Sequence, residues 1–372
     1  MNPVRESGVL LVLVGLLLGP RPGLGVLDAS TLRVLAPLTA LGIGWIGASF
    51  GSRLEWRVLR RIPRSVWTVA AVQAAAAFAL TAIAAWLLTR ALPALTAAWH
   101  PTLPALLAIA ATAAVSSPHA VALAAQRAGA GTRLADRLAI SALLDTLLGA
   151  CLFALTLAFY HPRATFPGGF GWLGWLAVAV AASGGVGLLF LWLSRLGRES
   201  EAQDLELLGV VLVGAGVGYA VELSPFIVCA LATALIVNRV PFRRRQVQSA
   251  LRRWEHPVYA GVLVAAGALL RLPTLWLVAA VLVLGVVRIA ARWASARLVW
   301  TWAPGPRLPP QVGLATVAQG GVAVALGLSF GFVHADAGAV FTTVLLGVAF
   351  AQAALGPLVA LAFRPARGEV TA

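Results

Sequence analysis

The residue with the clearest chemical potential is an aspartate in the middle of an apolar segment. Asp145 stands in "AISALLDTLLGACLFAL", about 16 Å along a predicted helix that begins near Leu134. This depth is close to the centre of a hydrocarbon layer about 30 Å thick, where a carboxylate is costly and generally functional. Asp145 is therefore our candidate ligand for a proton or a monovalent cation. The alternative is a neutral or arginine-paired aspartate that only holds helices together.

The segment "AVSSPHAV" interrupts the preceding apolar run with a helix breaker. Pro118 has no N–H group, so the carbonyl of Ala114 loses its helical partner. Ser116, Ser117 and Thr112 offer neutral oxygens of the kind that a partly dehydrated cation needs. The alternative is a simple proline kink without a ligand, because proline is common in membrane helices.

A second interruption lies in "QVGLATVAQGGVAVALGLSF", the eleventh apolar run. Gly320 and Gly321 allow the backbone to unwind, and Gln319 adds a neutral oxygen. Unwound backbone at membrane depth is tolerated only where protein or a water-filled cavity surrounds it. The two interrupted helices run in opposite directions, as in transporters built from inverted repeats. The alternative is a glycine pair that only allows helices to pack closely.

Two basic side chains belong to the same set of candidates. Arg288, in "LVLGVVRIAARW", lies deep in the tenth apolar run and is our charge-compensating candidate. Its head either pairs with Asp145, binds a helix carbonyl or repels a cation; alternatively it snorkels toward the cytoplasm with Arg292. His119 is an auxiliary candidate because an imidazole relays protons near neutral pH, although a packing role explains it equally well.

The candidate residues are predicted to lie on membrane-spanning helices. Hydrophobic residues make up 60% of the chain and charged residues 11%, whereas soluble domains carry about 25% charged residues. Apolar runs of about 18 residues or more recur along the chain, each long enough to span a membrane. The fold class that we predict is an all-α polytopic membrane protein with two crossing discontinuous helices. The twelve predicted helices cover roughly 7–19, 32–51, 65–90, 102–126, 133–158, 170–194, 204–220, 224–238, 256–270, 273–296, 311–331 and 338–363.

The net charge of +15 reflects topology rather than a nucleic-acid partner. All 28 basic residues are arginine, and the loops alternate between arginine-rich and arginine-poor. The arginine-rich set, which includes "SRLEWRVLRRIPR" and "NRVPFRRRQVQSALRR", is cytoplasmic by the positive-inside rule. Both termini are then cytoplasmic, and membrane lipid is the expected partner of the arginines.

The chain shows no sign of a second domain or of an enzyme site. No linker divides residues 1–372, which we interpret as a single transmembrane transporter domain with inverted repeats at roughly 1–160 and 220–365. Cys151 and Cys229 fall in apolar runs and indicate neither a disulfide framework nor a metal cluster. The buried segments offer no nucleophile–base pair, so we expect neither an enzyme nor a resident cofactor.

Four segments together resemble the monovalent cation/proton antiporters, the sodium/proton exchangers. "VLVGLLLGPRPGLGVLD" is similar to the first helix of that family, and "AAVSSPHAVALAAQRAGAGTRLADRLAISALLD" to its broken fourth helix and aspartate-bearing fifth helix. "LSPFIVCALATALIVNRVPFRRR" and "QGGVAVALGLSF" resemble two later segments, the second of which is the other broken helix. The similarity covers nearly the whole chain in the same order.

The resemblance implies a homodimer with interleaved scaffold and core subdomains that exchanges sodium, lithium or potassium for protons by elevator-type alternating access. Asp145 matches the aspartate that binds the ion and the proton, Ser116 and Ser117 match the polar residues of the broken fourth helix, and Arg288 matches the basic residue of the tenth helix. Three features depart from the family, and the first is that Pro118 and His119 follow the serines where a Thr-Asp pair or a Thr-rich stretch is common. Leu144 stands where Asp or Asn usually precedes the binding aspartate, and the usual additional N-terminal helix is not seen.

We therefore expect a secondary transporter of a bacterial inner membrane. Its substrates are the proton and a monovalent cation. A single buried carboxylate favours electroneutral exchange, because it balances one proton or one monovalent cation. Two alternatives stay open at this point. One is an organic-anion symporter of related architecture, and the other is a transport-inactive sensor or structural protein.

Overall fold

The regular secondary structure of the described residues is entirely helical. This computed structural model describes residues 8–20, 23–99, 102–127, 132–163, 171–194, 200–240, 244–271, 274–302, 312–334 and 338–363. Six of its helices, one of them interrupted, are long and apolar enough to cross a membrane, and five shorter helices are also apolar. The prediction of an all-α, multi-pass membrane protein is confirmed.

Each predicted span corresponds to one helix or to one interrupted helix. Short helical turns precede α2 and α3, and one follows α3. In chain order the helices are α1 (Val9–Leu18), α2 (Ala36–Gly51), α3 (Arg64–Ala91), α4a (Leu103–Ala114), α4b (Pro118–Arg127), α5 (Thr132–Phe159), α6 (Gly171–Leu193), α7 (Ser200–Ala220), α8 (Pro225–Arg239), α9 (Arg244–Ala268), α10 (Trp276–Trp302), α11a (Val312–Ala315), α11b (Gly321–Val333) and α12 (Gly338–Ala362).

Two predicted boundaries were wrong. Helix α9 begins at Arg244 rather than near residue 256, because Val247, Ala250 and Leu251 form an apolar stripe that is buried. Helix α10 continues to Trp302 rather than ending near residue 296. The longer α10 places its central arginines farther from a helix end than the sequence suggested.

The first of two compact units comprises residues 1–61, 153–272 and 324–342. Its α2 packs against α7, α8 and α9, and α1 packs against α9. The α1–α9 contact depends on two glycines, since a Cβ on Gly15 would overlap the carbonyl of Val264 and one on Gly267 would overlap the carbonyl of Val12. Small residues of this kind let membrane helices approach closely.

The second unit comprises residues 62–152, 273–323 and 343–372 and contains every candidate site residue. Its α3 packs against α4a and α10, and α11a packs against α10 and α4b. Helix α3 presents a buried face of small residues, which allows α10 to lie close to it. These residues are Ala70, Ala74, Ala77 and Ala85. The boundaries proposed for the inverted repeats stay a prediction.

Candidate functional site

The fourth helix is interrupted over three residues between α4a and α4b. Val115 has extended backbone angles, and α4b restarts at Pro118. A proline disfavours helical geometry in the residue before it and suits the first position of a new helix. The Ser117 hydroxyl lies 3.5 Å from the Ala120 N–H, near the start of α4b. The carbonyls at the end of α4a are thereby left for partners elsewhere.

The eleventh helix is interrupted between α11a and α11b, and the two interruptions touch. The Ser117 N–H donates a hydrogen bond of 2.8 Å to the carbonyl of Ala318. Gly320 permits the approach, since a Cβ there would lie 2.8 Å from the Ser117 hydroxyl. Gly321 begins α11b. The two discontinuous helices therefore meet at their unwound segments, as the predicted fold class requires.

Asp145 lies beside this meeting point, with none of its surface exposed. Its Oδ2 accepts a hydrogen bond of 3.1 Å from the Ser116 hydroxyl and one of 2.7 Å from Nη1 of Arg292. Its Oδ1 is buried and has no hydrogen-bond partner among the described residues. One carboxylate oxygen is thus held in place while the other is free to accept a proton or a cation.

Arg292 was missed as a site residue. The sequence indicated it only in the alternative that has it snorkel toward the cytoplasm with Arg288, but the side chain is completely buried and forms an ion pair with Asp145. Its Nη2 donates 2.7 Å to the carbonyl of Ala114, which Pro118 leaves without a helical partner. The four-residue spacing from Arg288 was a usable signal, because residues four apart lie on one face of a helix.

Arg288 binds helix carbonyls rather than Asp145, which is one of the contacts that the sequence left open. Its Nε donates 2.7 Å to Ala113, its Nη2 donates 2.9 Å to Val115 and its Nη1 donates 2.5 Å to Val317. One guanidinium therefore joins α4a and both interruptions. A planar fork of five N–H donors suits this arrangement, and charge-assisted hydrogen bonds are the stronger ones.

Ser116 connects the carboxylate to the rest of the crossing. Its hydroxyl lies 2.8 Å from the carbonyl of Thr316, in addition to its contact with Asp145. Its own carbonyl accepts a hydrogen bond from Thr146, the residue after the aspartate. Ser116, Thr146 and Thr316 are all buried. The unwound segment is therefore tied to α5 on one side and to the second interruption on the other.

Gln319 and Thr112 meet in a second polar contact. The Gln319 amide donates 2.8 Å to the carbonyl of Thr112, while the Thr112 hydroxyl bonds within its own helix. Gln352 of α12 donates to the carbonyl of Gln319. Gln352, like Thr146 and Thr316, carried no sequence signal, because polar residues on buried faces can be recognised only once the helices are packed.

Two predicted candidates lie apart from Asp145. His119 is exposed on α4b, and within the described part of the chain no hydrogen bond or ion pair joins it to the site residues. Ser117 touches the other interruption through its N–H and contacts Gly320, but it does not touch the carboxylate. Leu144 is fully buried next to Asp145 and adds no polar atom to the site.

Comparisons with known proteins show the fold. Neither a family model nor a curated protein matches the chain. Solved structures of the sodium proton antiporter MjNhaP1 from Methanocaldococcus jannaschii do match. The one at pH 8 has 14% identity over 95% of this chain and 91% of that chain, with a TM-score of 0.68. An electron-microscopy map of the same antiporter has 15% identity over 98% and 92%, with a TM-score of 0.64.

Proposed function

We propose that this chain, which has the fold of a sodium/proton antiporter, exchanges a monovalent cation for protons at Asp145. The observation that carries the proposal is the free Oδ1 of a completely buried carboxylate at the meeting point of two broken helices. Buried carboxylates in membranes generally serve ions or protons. Broken helices supply the free backbone groups that transporters use at such sites.

Arg292 is the partner of the Asp145 carboxylate when no ion is bound. With no ion bound, its guanidinium neutralises the carboxylate at 2.7 Å. A metal cation at Oδ1 would sit within a few ångströms of this positive charge, and two such charges repel by about 4 kcal/mol at 4 Å in a partly polar interior. A cation that binds at the free Oδ1 therefore displaces Arg292 from Oδ2, and a proton there removes the negative charge that holds Arg292. Its hydrogen bond to the carbonyl of Ala114, which is present alongside the ion pair, is a contact that it keeps when it leaves Asp145.

Exchange follows from the single negative charge. A proton and a cation each neutralise the same carboxylate, so they bind one at a time. Asp145 and the Ser116 hydroxyl are the cation ligands of this proposal, and Ser117 positions the crossing through Ala318. Because each species carries one charge, one-for-one exchange moves no net charge. We therefore propose electroneutral transport of sodium, lithium or potassium.

The proposal also covers the membrane, the orientation and the oligomeric state of the protein. Arginine-rich loops support an orientation with both termini in the cytoplasm of a bacterial inner membrane. The resemblance to the antiporter family supports a homodimer and elevator-type alternating access.

A second candidate, an organic-anion symporter, is favoured by one observation. The buried charged side chains among the described residues of the second unit are Arg288, Arg292 and Asp145, which gives an excess of one positive charge. Stimulation of proton movement by an organic anion, with no response to metal cations, would support this function instead.

Proteoliposomes with a pH-sensitive dye inside test the proposal. Addition of sodium, lithium or potassium should move protons in the wild type, and Asp145→Asn should remove this response. Asp136→Asn is the matched control, since Asp136 is an exposed acid on the same helix. Equal coupling in Asp145→Asn and wild type would refute the proposal. No coupling in any of the three, with normal folding, would favour a transport-inactive protein.

A further inference from the structure

The second unit contains a small cavity beside Arg288 that the exchange mechanism does not use. Its volume is about 40 Å³, and α3, α4a, α10 and α12 contribute to its wall together with the interruption of the eleventh helix. A single water needs about 10–15 Å³, whereas pockets for organic ligands measure about 300–1,000 Å³. The space suits a monatomic ion with a water molecule and is too small for an organic solute.

Three polar side chains in the wall of the cavity retain unused hydrogen-bond donors. Thr81 of α3 is 1% exposed, and its hydroxyl has no hydrogen-bond partner within the described chain. Three of the five N–H groups of Arg288 donate to carbonyls, which leaves two. Gln319 uses one amide hydrogen on Thr112 and retains another. These three side chains all line the same space.

The charge beside the cavity is positive, which favours an anion as its ligand. Arg292 is paired with Asp145, whereas Arg288 contacts only carbonyls through the hydrogen bonds described above. No acidic residue is among the described residues that line the cavity, and most of the others are apolar. Apolar walls lower the local dielectric and strengthen the attraction between a guanidinium and an anion. Guanidinium is also less strongly hydrated than ammonium and suits buried ion pairs.

We propose that this cavity binds one small monovalent anion of the halide class, held by Arg288, Thr81 and Gln319. The anion neutralises the second buried arginine and leaves the Arg292–Asp145 pair free to respond to protons and cations. The site is separate from the proposed exchange reaction and is measurable in protein that does not transport. Because weakly hydrated ions lose less on entering an apolar cavity, chloride and bromide bind more tightly than fluoride.

Thermal unfolding of the purified protein in detergent tests the site. Sodium chloride, bromide, fluoride and gluconate are compared at constant sodium concentration and ionic strength. Saturating chloride should raise the Tm by about 3 °C relative to gluconate, with a half-maximal concentration that can be read from the titration. In Thr81→Val, which lacks the free hydroxyl, this concentration should rise at least about tenfold.

Thr89→Val is the matched control because Thr89 is buried on the same helix and bonds the carbonyl of Trp86 away from the cavity. It should keep the chloride response of the wild type. Equal Tm values in chloride and gluconate, or an unchanged half-maximal concentration in Thr81→Val, would overturn the proposal and leave a hydrated cavity.

Bromide provides a measurement that needs no variant. An anomalous scattering peak within hydrogen-bond distance of the Thr81 hydroxyl in bromide-soaked crystals supports the site. Bromide peaks found only outside the cavity would contradict it.

Discussion

Arg292 and Asp145 form an ion pair in which both side chains are completely buried, with 2.7 Å between Nη1 and Oδ2. The pair uses only one oxygen of the carboxylate, and the Nε of Arg292 is unpaired among the described residues. A buried pair with unused groups on both partners has lost solvation without full compensation. It is therefore suited to exchange one partner for another.

Removal of Arg292 should make the stability of the protein depend on cations. Arg292→Gln leaves the Asp145 carboxylate without a positive partner, which typically costs about 3–5 kcal/mol for a buried pair. A cation that binds Asp145 restores the balance, so saturating sodium or lithium should raise the Tm more in the variant than in the wild type. Melting curves with and without these cations measure the difference.

Arg297→Gln is the control for that substitution, because Arg297 is exposed on the same helix. Its cation response should equal that of the wild type. If Arg292→Gln also shows the wild-type response, Arg292 and the cation do not share Asp145.

Replacement of Arg288 by lysine should loosen the crossing while the positive charge is kept. The guanidinium reaches three carbonyls in two chain segments, and an ammonium group cannot match that planar geometry. We expect Arg288→Lys to lose about 1–3 kcal/mol of stability and a large part of the exchange rate. Melting and proteoliposome assays report the two effects. Stability and exchange equal to those of Arg297→Lys would show that the carbonyl contacts are unimportant.

A methyl group at Gly320 should separate the two interruptions. Its Cβ would lie 2.8 Å from the Ser117 hydroxyl, closer than real Cβ atoms approach. Gly320→Ala should therefore reduce the exchange rate at least about tenfold, because misplacement of site groups by about 1 Å is costly. Gly331→Ala on α11b, where a Cβ meets no atom within 4 Å, should leave the rate unchanged. Similar rates in the two variants would contradict the importance of this contact.

His161 should make the stability of the first unit fall in acid. Its ring stacks on Trp175 and contacts the carbonyl of Glu222, and burial lowers the pKa of His161 below its ordinary value of 6.5. The unfolded chain then binds the proton more readily than the folded one, so the contribution is full above about pH 6.5 and is lost as the pH falls below it.

His161→Phe keeps the stacked ring and removes the titration. Its Tm should therefore decline less than that of the wild type between pH 7 and pH 5. His256→Phe, which changes an exposed histidine, should decline like the wild type. Parallel curves for His161→Phe and the wild type would exclude this role.

The sequence was sufficient to locate Asp145 and both interruptions, because their causes are local. A carboxylate at membrane depth is costly wherever it lies, and proline or paired glycines weaken a helix regardless of its neighbours. Arg292 was not predictable from the same evidence. Its burial follows from the extension of α10 to Trp302 and from the carbonyl of Ala114, which another helix supplies.

The different contacts of Ser116 and Ser117 also could not be predicted from the sequence. Successive side chains of an extended segment point to opposite sides, so only one of two adjacent serines faces a given partner. Which one faces Asp145 depends on the number of residues between Ala114 and Pro118 that unwind. The structure turns Ser116 toward the carboxylate and the Ser117 N–H toward Ala318.

The pH dependence of the apparent KM for the cation shows whether proton and cation compete for Asp145. If proton and cation compete for Asp145 alone, the KM of the wild type should fall about tenfold for each unit of rising pH in the acidic range and then level off, with an unchanged maximal rate. Asp136→Asn should follow the same curve. A KM that does not change with pH while the maximal rate does would contradict competition at a single carboxylate.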